Sequence, residues 1–262
     1  MESISSSTTE DLRSGSPHTK LGNLQKPATA AKAVEAFNTW AFKRQQPSDL
    51  GLLKRFAMRA VLRQEPVSFV LYWGKGPRSK IADPDIQCLD YLASLAARVK
   101  RVYDKGALIS LVLTDTHATL NGHLEREIAD YHGDVAVEAR KRGFEHYALS
   151  ELTAAAGEVV RTEDCPTPSA EILHQLAGSA MRWYRGEGTA EDGARRYYKM
   201  NMVEKKVVEL FFPSSIFITF NGSDHRELFP DQLPVFYMYS LRRGTSVKPW
   251  FLPDPKSIAL AS

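Results

Sequence analysis

The spacing of apolar positions divides the chain into alternating helical and extended segments. Between Ala28 and Gln46, Val34, Phe37, Trp40 and Ala41 recur on one side of a helical projection. From Asp49 to Gln64 the apolar residues return at intervals of three and four, with Asp49 placed to cap a second helix. The period then changes. Pro66 to Trp73, PVSFVLYW, is rich in β-branched and aromatic residues and too short for a good helix, so it predicts a strand that Gly74 ends. From Asp83 to Gly106 the helical stripe is restored through Ile86, Leu89, Leu92, Leu95, Ala96, Val99 and Tyr103, with Asp83 as cap and Pro84 in the first turn. The nearly unbroken apolar run ALISLVLTD, ending at Asp115, predicts a strand covered on both faces, as parallel sheets require.

These three segments make a βαβ unit. Beyond it, Leu124 to Lys141 predicts a helix that Gly133 is placed to interrupt, and FEHYALSEL a third strand with its loop. Two further amphipathic helices are predicted over 169–186 and 190–212, and two late strands over SSIFITFN and VFYMYSL. The order predicts an α/β fold: a Rossmann-like three-layer domain with a mostly parallel sheet and additional N-terminal helices. Residues 1–26, rich in Ser and Thr, are expected to form a disordered tail, and 27–262 a single catalytic domain.

Composition narrows the class. The 262 residues carry 34 basic and 31 acidic side chains spread along the chain, a net charge of +3 with no basic stripe, so a nucleic-acid partner is not expected. Cys88 and Cys165 are far apart and fit no zinc or redox pattern. Cys88 falls near the apolar stripe of its helix and is expected to be a buried structural thiol. The opening segment has no apolar core of a signal peptide and no stretch has the span of a membrane helix, which together predict a cytoplasmic protein without membrane contact. Self-association is compatible with this composition.

In open parallel sheets, ligands bind beyond the carboxyl ends of the strands. Two loops qualify here. WGKGPRSKIADPD follows the first strand and offers Lys75, Arg78 and Lys80 to an anion, with Gly74 and Gly76 letting backbone approach. It matches neither a P-loop nor GxGxxG; alternatively it is a Gly/Pro turn with solvated cations. TDTHATLNGH follows the second strand with Asp115, His117, Asn121 and His123, a set that reads as general base chemistry, as a divalent metal site, or as a capped turn with exposed histidines. NGSDH, from Asn221 to His225, reads as a turn. Arg195, Arg196 and Lys199 read as a helix's polar face, and Phe211, Phe212, Phe217 and Phe220 as core.

The segment from Pro66 to Asp115, with Pro84-Asp85, Tyr103, Gly106-Ala107 and Asp115 in register, resembles the front half of the isocyanide (isonitrile) synthases of the pyoverdine/dityrosine biosynthesis family. Arg196, Glu204, Pro213, Ser215-Ile216 and Lys248-Pro249-Trp250 look similar to its back half. The resemblance implies a fold near the Rossmann arrangement and condensation of an amino acid's α-amino group with a pentulose phosphate, ribulose 5-phosphate, without a metal or redox cofactor. By the same resemblance, Lys75, Arg78 and Lys80 bind the phosphate, Asp115 and His117 move protons, and Glu204 acts with them while it and Arg196 orient the amino acid. Asn121 adds a further substrate contact. The chain departs from the family where YWGKGPRSK replaces a Phe-Pro-x-Lys-Ser-Pro-Asn run and where TDTHATLNG replaces an Asp-Gly strand end. A metal-dependent enzyme built on Asp115, His117 and His123, and a noncatalytic binder of an anionic small molecule, are the alternatives.

Overall fold

A computed structural model describes residues 17–157 and 165–239. Two helices lead into the sheet. Helix α1 (Pro17–Phe37) begins inside the segment expected to be a tail, and helix α2 (Leu50–Arg63) follows. Asp49 caps α2 as expected, accepting from the Leu52 amide at 2.7 Å, and Leu53, Phe56, Ala57, Ala60 and Val61 form its buried face. Helix α1 stops before Trp40, which is 53% exposed instead of buried. Trp40 instead carries the Lys43 ammonium 4.6 Å above its ring.

Strand β1 (Val67–Trp73) runs to helix α3 (Asp83–Val102) and strand β2 (Ala107–Leu113), giving the expected βαβ unit. Parallel pairing runs from Val67 opposite Ala107 to Trp73 opposite Leu113. The cap of α3 is Ala82, one residue earlier than predicted; its amide donates to Asp85 Oδ2 at 3.1 Å, and Pro84 sits in the first turn where no amide hydrogen is needed. Helix α4 (Asp115–Leu120) occupies what was expected to be loop. Helix α5 (Glu125–Lys141) runs through Gly133 without a break, because Tyr131, Val135 and Ala139 are buried on either side of it and packing outweighs the propensity cost.

Strand β3 (Glu145–Ala148) passes directly into helix α6 (Leu149–Ala156), a helix that short apolar FEHYALSEL did not reveal. Helix α7 (Ala170–Trp183) and the long helix α8 (Ala190–Phe211) return the chain to strand β4 (Ile216–Thr219). NGSDH leads into a 3-10 helix (Ser223–Leu228) before strand β5 (Val235–Tyr237). Phe212 and Phe217 are buried as expected, but Phe211 is 39% exposed at the end of α8. Lys248-Pro249-Trp250 lies outside the described residues.

Among the described residues the five strands form one sheet, all parallel, in the order β3-β2-β1-β4-β5. The chain moves outward from β1 through β2 to β3, then crosses back to lay β4 on the other side of β1. Because such crossovers are right-handed, reversing direction reverses the face that the connecting helices cover. Alternation along β1 shows the two layers. Phe69 meets Phe37 edge-on at 5.0 Å and Trp73 reaches Tyr131 of α5, so its odd-numbered residues face α1, α3 and α5. Tyr72 packs on Phe217 of β4 at 5.2 Å and, in the same layer, Tyr147 of β3 packs on Phe212 beside α8. Trp73, Phe69, Leu71, Leu92, Leu95 and Val208 are each 1% exposed or less, placing the core on both sides of β1.

Candidate functional site

Strand order reverses between β1 and β4, so the connections leaving their carboxyl ends diverge to opposite faces, the position at which open parallel sheets bind ligands. The exits of β1 and β2 are tied together: the Thr114 hydroxyl donates to the Trp73 carbonyl at 3.0 Å. An added Cβ on Gly76 would stand 3.6 Å from His123 Nε2, so the first loop lies against the end of α4, and the expectation that the two loops are neighbours holds.

On the α3/α5 side, the cations of the first loop converge on Asp85, which is wholly buried. Lys75 Nζ lies 3.0 Å from Asp85 Oδ1, donates to the Pro84 carbonyl at 2.9 Å, and sits 4.8 Å above the Trp73 ring. Arg78 Nη1 lies 3.6 Å from Asp85 Oδ2. The Trp73 indole N–H donates to the Tyr131 hydroxyl at 3.3 Å, whose phenol is pushed up mainly by burial, with the Asp85 charge adding a smaller push. Lys75 and Arg78 thus share one buried carboxylate. Lys80, farther along, is exposed.

On the α8 side, α4 gives the second loop a defined geometry. The first turn of α4 after Thr114 brings Thr116 and His117 to α8, where Glu204 is held with its side chain 2% exposed. His117 Nε2 lies 2.5 Å from Glu204 Oε2, and the Thr116 hydroxyl donates to Oε1 at 2.8 Å. Both carboxylate oxygens are therefore engaged, as a buried carboxylate requires. The imidazole, 13% exposed, stands between two phenols, with ring centroids 6.4 Å from Tyr72 and 5.1 Å from Tyr197. Burial, and then the charge of Glu204, push the Tyr72 phenol well above its ordinary value and the Tyr197 phenol up to about 12. Both are neutral donors at physiological pH.

Of the residues singled out from the sequence, His117 and Glu204 meet, and Lys75 meets Arg78 through Asp85. The others are placed apart. Asp115 turns away toward α6, accepting from the Ser150 amide at 3.0 Å and from the Ser150 hydroxyl. Arg196 is exposed near the start of α8, bonded to the Glu187 carbonyl with its guanidinium 5.7 Å from the Tyr184 ring centroid. Asn121 ends α4, part-buried, its amide donating to the His117 carbonyl at 3.0 Å. His123 faces Glu127 at 3.9 Å. The three donors of the metal reading thus have three different partners, and no group of three potential ligands gathers among the described residues. Not singled out as site residues were Tyr72, Thr116, Tyr197, Asp85 and Ser150. Asp85 entered only within the Pro84-Asp85 pair of the family resemblance, and the parity of Tyr72 in β1, opposite to Trp73, also carried a signal.

An all-parallel sheet in this order, with helices on both faces and polar clusters flanking the exit of its central strand, defines a Rossmann-like three-layer α/β protein. The crystal structure of the PvcA protein from Pseudomonas aeruginosa is similar to it, with a TM-score of 0.57 at 13% sequence identity, over 85% of this chain and 88% of that one. At that identity the likeness is one of fold. No family model matches the sequence, and no curated protein is significantly similar to it. No described helix is long and apolar enough to cross a membrane.

Proposed function

We propose that this protein is a biosynthetic enzyme of the isocyanide synthase kind, joining the α-amino group of an amino acid to a pentulose 5-phosphate. The observation that carries the reading is the buried Glu204–His117 pair at 2.5 Å, set beside the ligand edge of the sheet. The fold shared with PvcA and the family resemblance of the sequence support it. As a primary amine attacks the keto carbon, its two N–H protons must pass in turn to the keto oxygen, which then leaves as water to give the imine. His117 serves both transfers, each time accepting a proton from nitrogen as base and returning one to the oxygen as acid. Glu204 stabilises the intervening imidazolium, and Thr116 fixes the carboxylate for that task. Lys75 and Arg78 take the phosphate, whose two or so negative charges compete with Asp85 for the same cations.

Incubating the protein with single amino acids and ribulose 5-phosphate, with isocyanide and imine products sought by mass spectrometry, tests the proposal. Turnover should appear with at least one amino acid and fall by about 10²–10⁴-fold in Glu204→Gln. Tight sugar-phosphate binding without turnover on any amino acid would replace the enzyme with a noncatalytic anion binder.

A further inference from the structure

The hydroxyl of Tyr72 is buried and has no hydrogen-bond partner among the described residues. It belongs to the α8 face of β1, beside His117 and opposite Phe217 of β4, at the point where strand order reverses. The residue as a whole is part-buried, and its hydroxyl is enclosed on the side of the sheet that carries His117 and Glu204. A phenol kept from both water and protein acceptors is unfavourable, and such groups occur where a ligand or ordered water completes the set. The carboxylate beside His117, Glu204, already has His117 and Thr116 on its two oxygens. The hydroxyl of Tyr72 is therefore left without an acceptor among the described residues.

We infer that Tyr72 is a substrate-binding residue whose hydroxyl donates to an uncharged carbonyl oxygen of the bound substrate, placed against the His117 imidazole. An uncharged acceptor is favoured over a carboxylate because Glu204 already sets a negative charge in the same low-dielectric cluster, and a second would be repelled. The phenol stays protonated for the same two reasons, burial and Glu204, and so remains a donor. Resting on the proposed function, this assigns the donor to the keto oxygen of the sugar phosphate and not to the amino acid's carboxylate. A donor there polarises the keto carbon as the amine attacks and holds the oxygen that departs as water.

The test is Tyr72→Phe, which removes one oxygen and leaves the ring in place. Ribulose 5-phosphate binding is measured by calorimetry on the full chain, beside thermal unfolding without ligand and the turnover assay. The inference expects a variant at least as thermostable as the native protein, because an unpaired buried hydroxyl is gone, that binds ribulose 5-phosphate about 10-fold more weakly. Equal affinity in both proteins would overturn the assignment of Tyr72 while leaving the enzyme reading standing. Weaker binding by the variant, with no turnover in the native protein, would uphold Tyr72 and overturn the enzyme reading. Absence of ribulose 5-phosphate binding by the native protein would overturn both.

Discussion

Asp85 is wholly buried, and its charge is tolerable only because Lys75 and Arg78 face it. The two cations that read from the sequence as an anion clamp are therefore also structural. Removing one partner of a fully buried pair costs about 3–5 kcal/mol. Lys75 is 29% exposed and Arg78 remains, so Lys75→Met is expected to destabilise by about 1–3 kcal/mol in urea unfolding. Adding Asp85→Asn should restore part of that loss, since the uncompensated charge disappears while Asn still accepts from the Ala82 amide. Equal stability of Lys75→Met and the native protein would show that the ion pair is not coupled to folding. Nothing in the spacing of Lys75, Arg78 and Asp85 distinguished a solvated loop from this arrangement, because the partner of the cations lies in the first turn of the next helix.

Helix α4 decides which residues of the second loop form a site. In an extended loop Asp115, His117 and His123 have metal-ligand spacing; once 115–120 are helical, Asp115 and His117 turn to different neighbours, Ser150 and Glu204. The end of α4 is fixed by a close backbone approach. Gly122 has φ +82, and a Cβ there would come 2.9 Å from the Arg185 carbonyl oxygen, while one on Gly186 would meet the Leu120 carbonyl oxygen at 2.6 Å. The loop between α7 and α8 is thereby held on α4. Gly122→Ala is expected to cost at least 1–3 kcal/mol and to lower turnover by displacing His117 from Glu204, with unfolding and activity measured on the same preparation. Loss of stability with unchanged activity would place the effect outside the site. The helix itself was not legible in TDTHATLNGH, where Asp, Thr, Asn and Gly suit turns as well as a short helix.

The assembled molecule places ionisable groups between layers, and this shapes its response to pH. His132 on α5 is buried, with no partner for Nε2 among the described residues, and burial lowers its pKa from 6.5 while Asp115 acts weakly the other way. In the unfolded chain the imidazole binds its proton at a higher pH than in the folded one. Its contribution to stability is accordingly complete above about pH 6.5 and is lost as pH falls through that value toward the lower folded pKa. Unfolding midpoints measured from pH 7.5 to 5 should fall, and His132→Phe should flatten the dependence; an unchanged slope would remove His132 from the account.

The sequence alone determined the βαβ unit, the Asp49 cap, the place of Pro84 in a first helical turn, and the parallel character of the sheet, because period, caps and unbroken apolar strands are local properties of the chain. It also marked His117 and Glu204 separately, through the family resemblance, although they stand far apart along the chain. Tertiary structure alone brought them within 2.5 Å, directed the loop cations to Asp85 and enclosed the Tyr72 hydroxyl. Those contacts depend on which face of β1 each crossover covers and on the order in which β4 returns beside it. That order follows from packing the whole chain and leaves no periodic trace in any one segment.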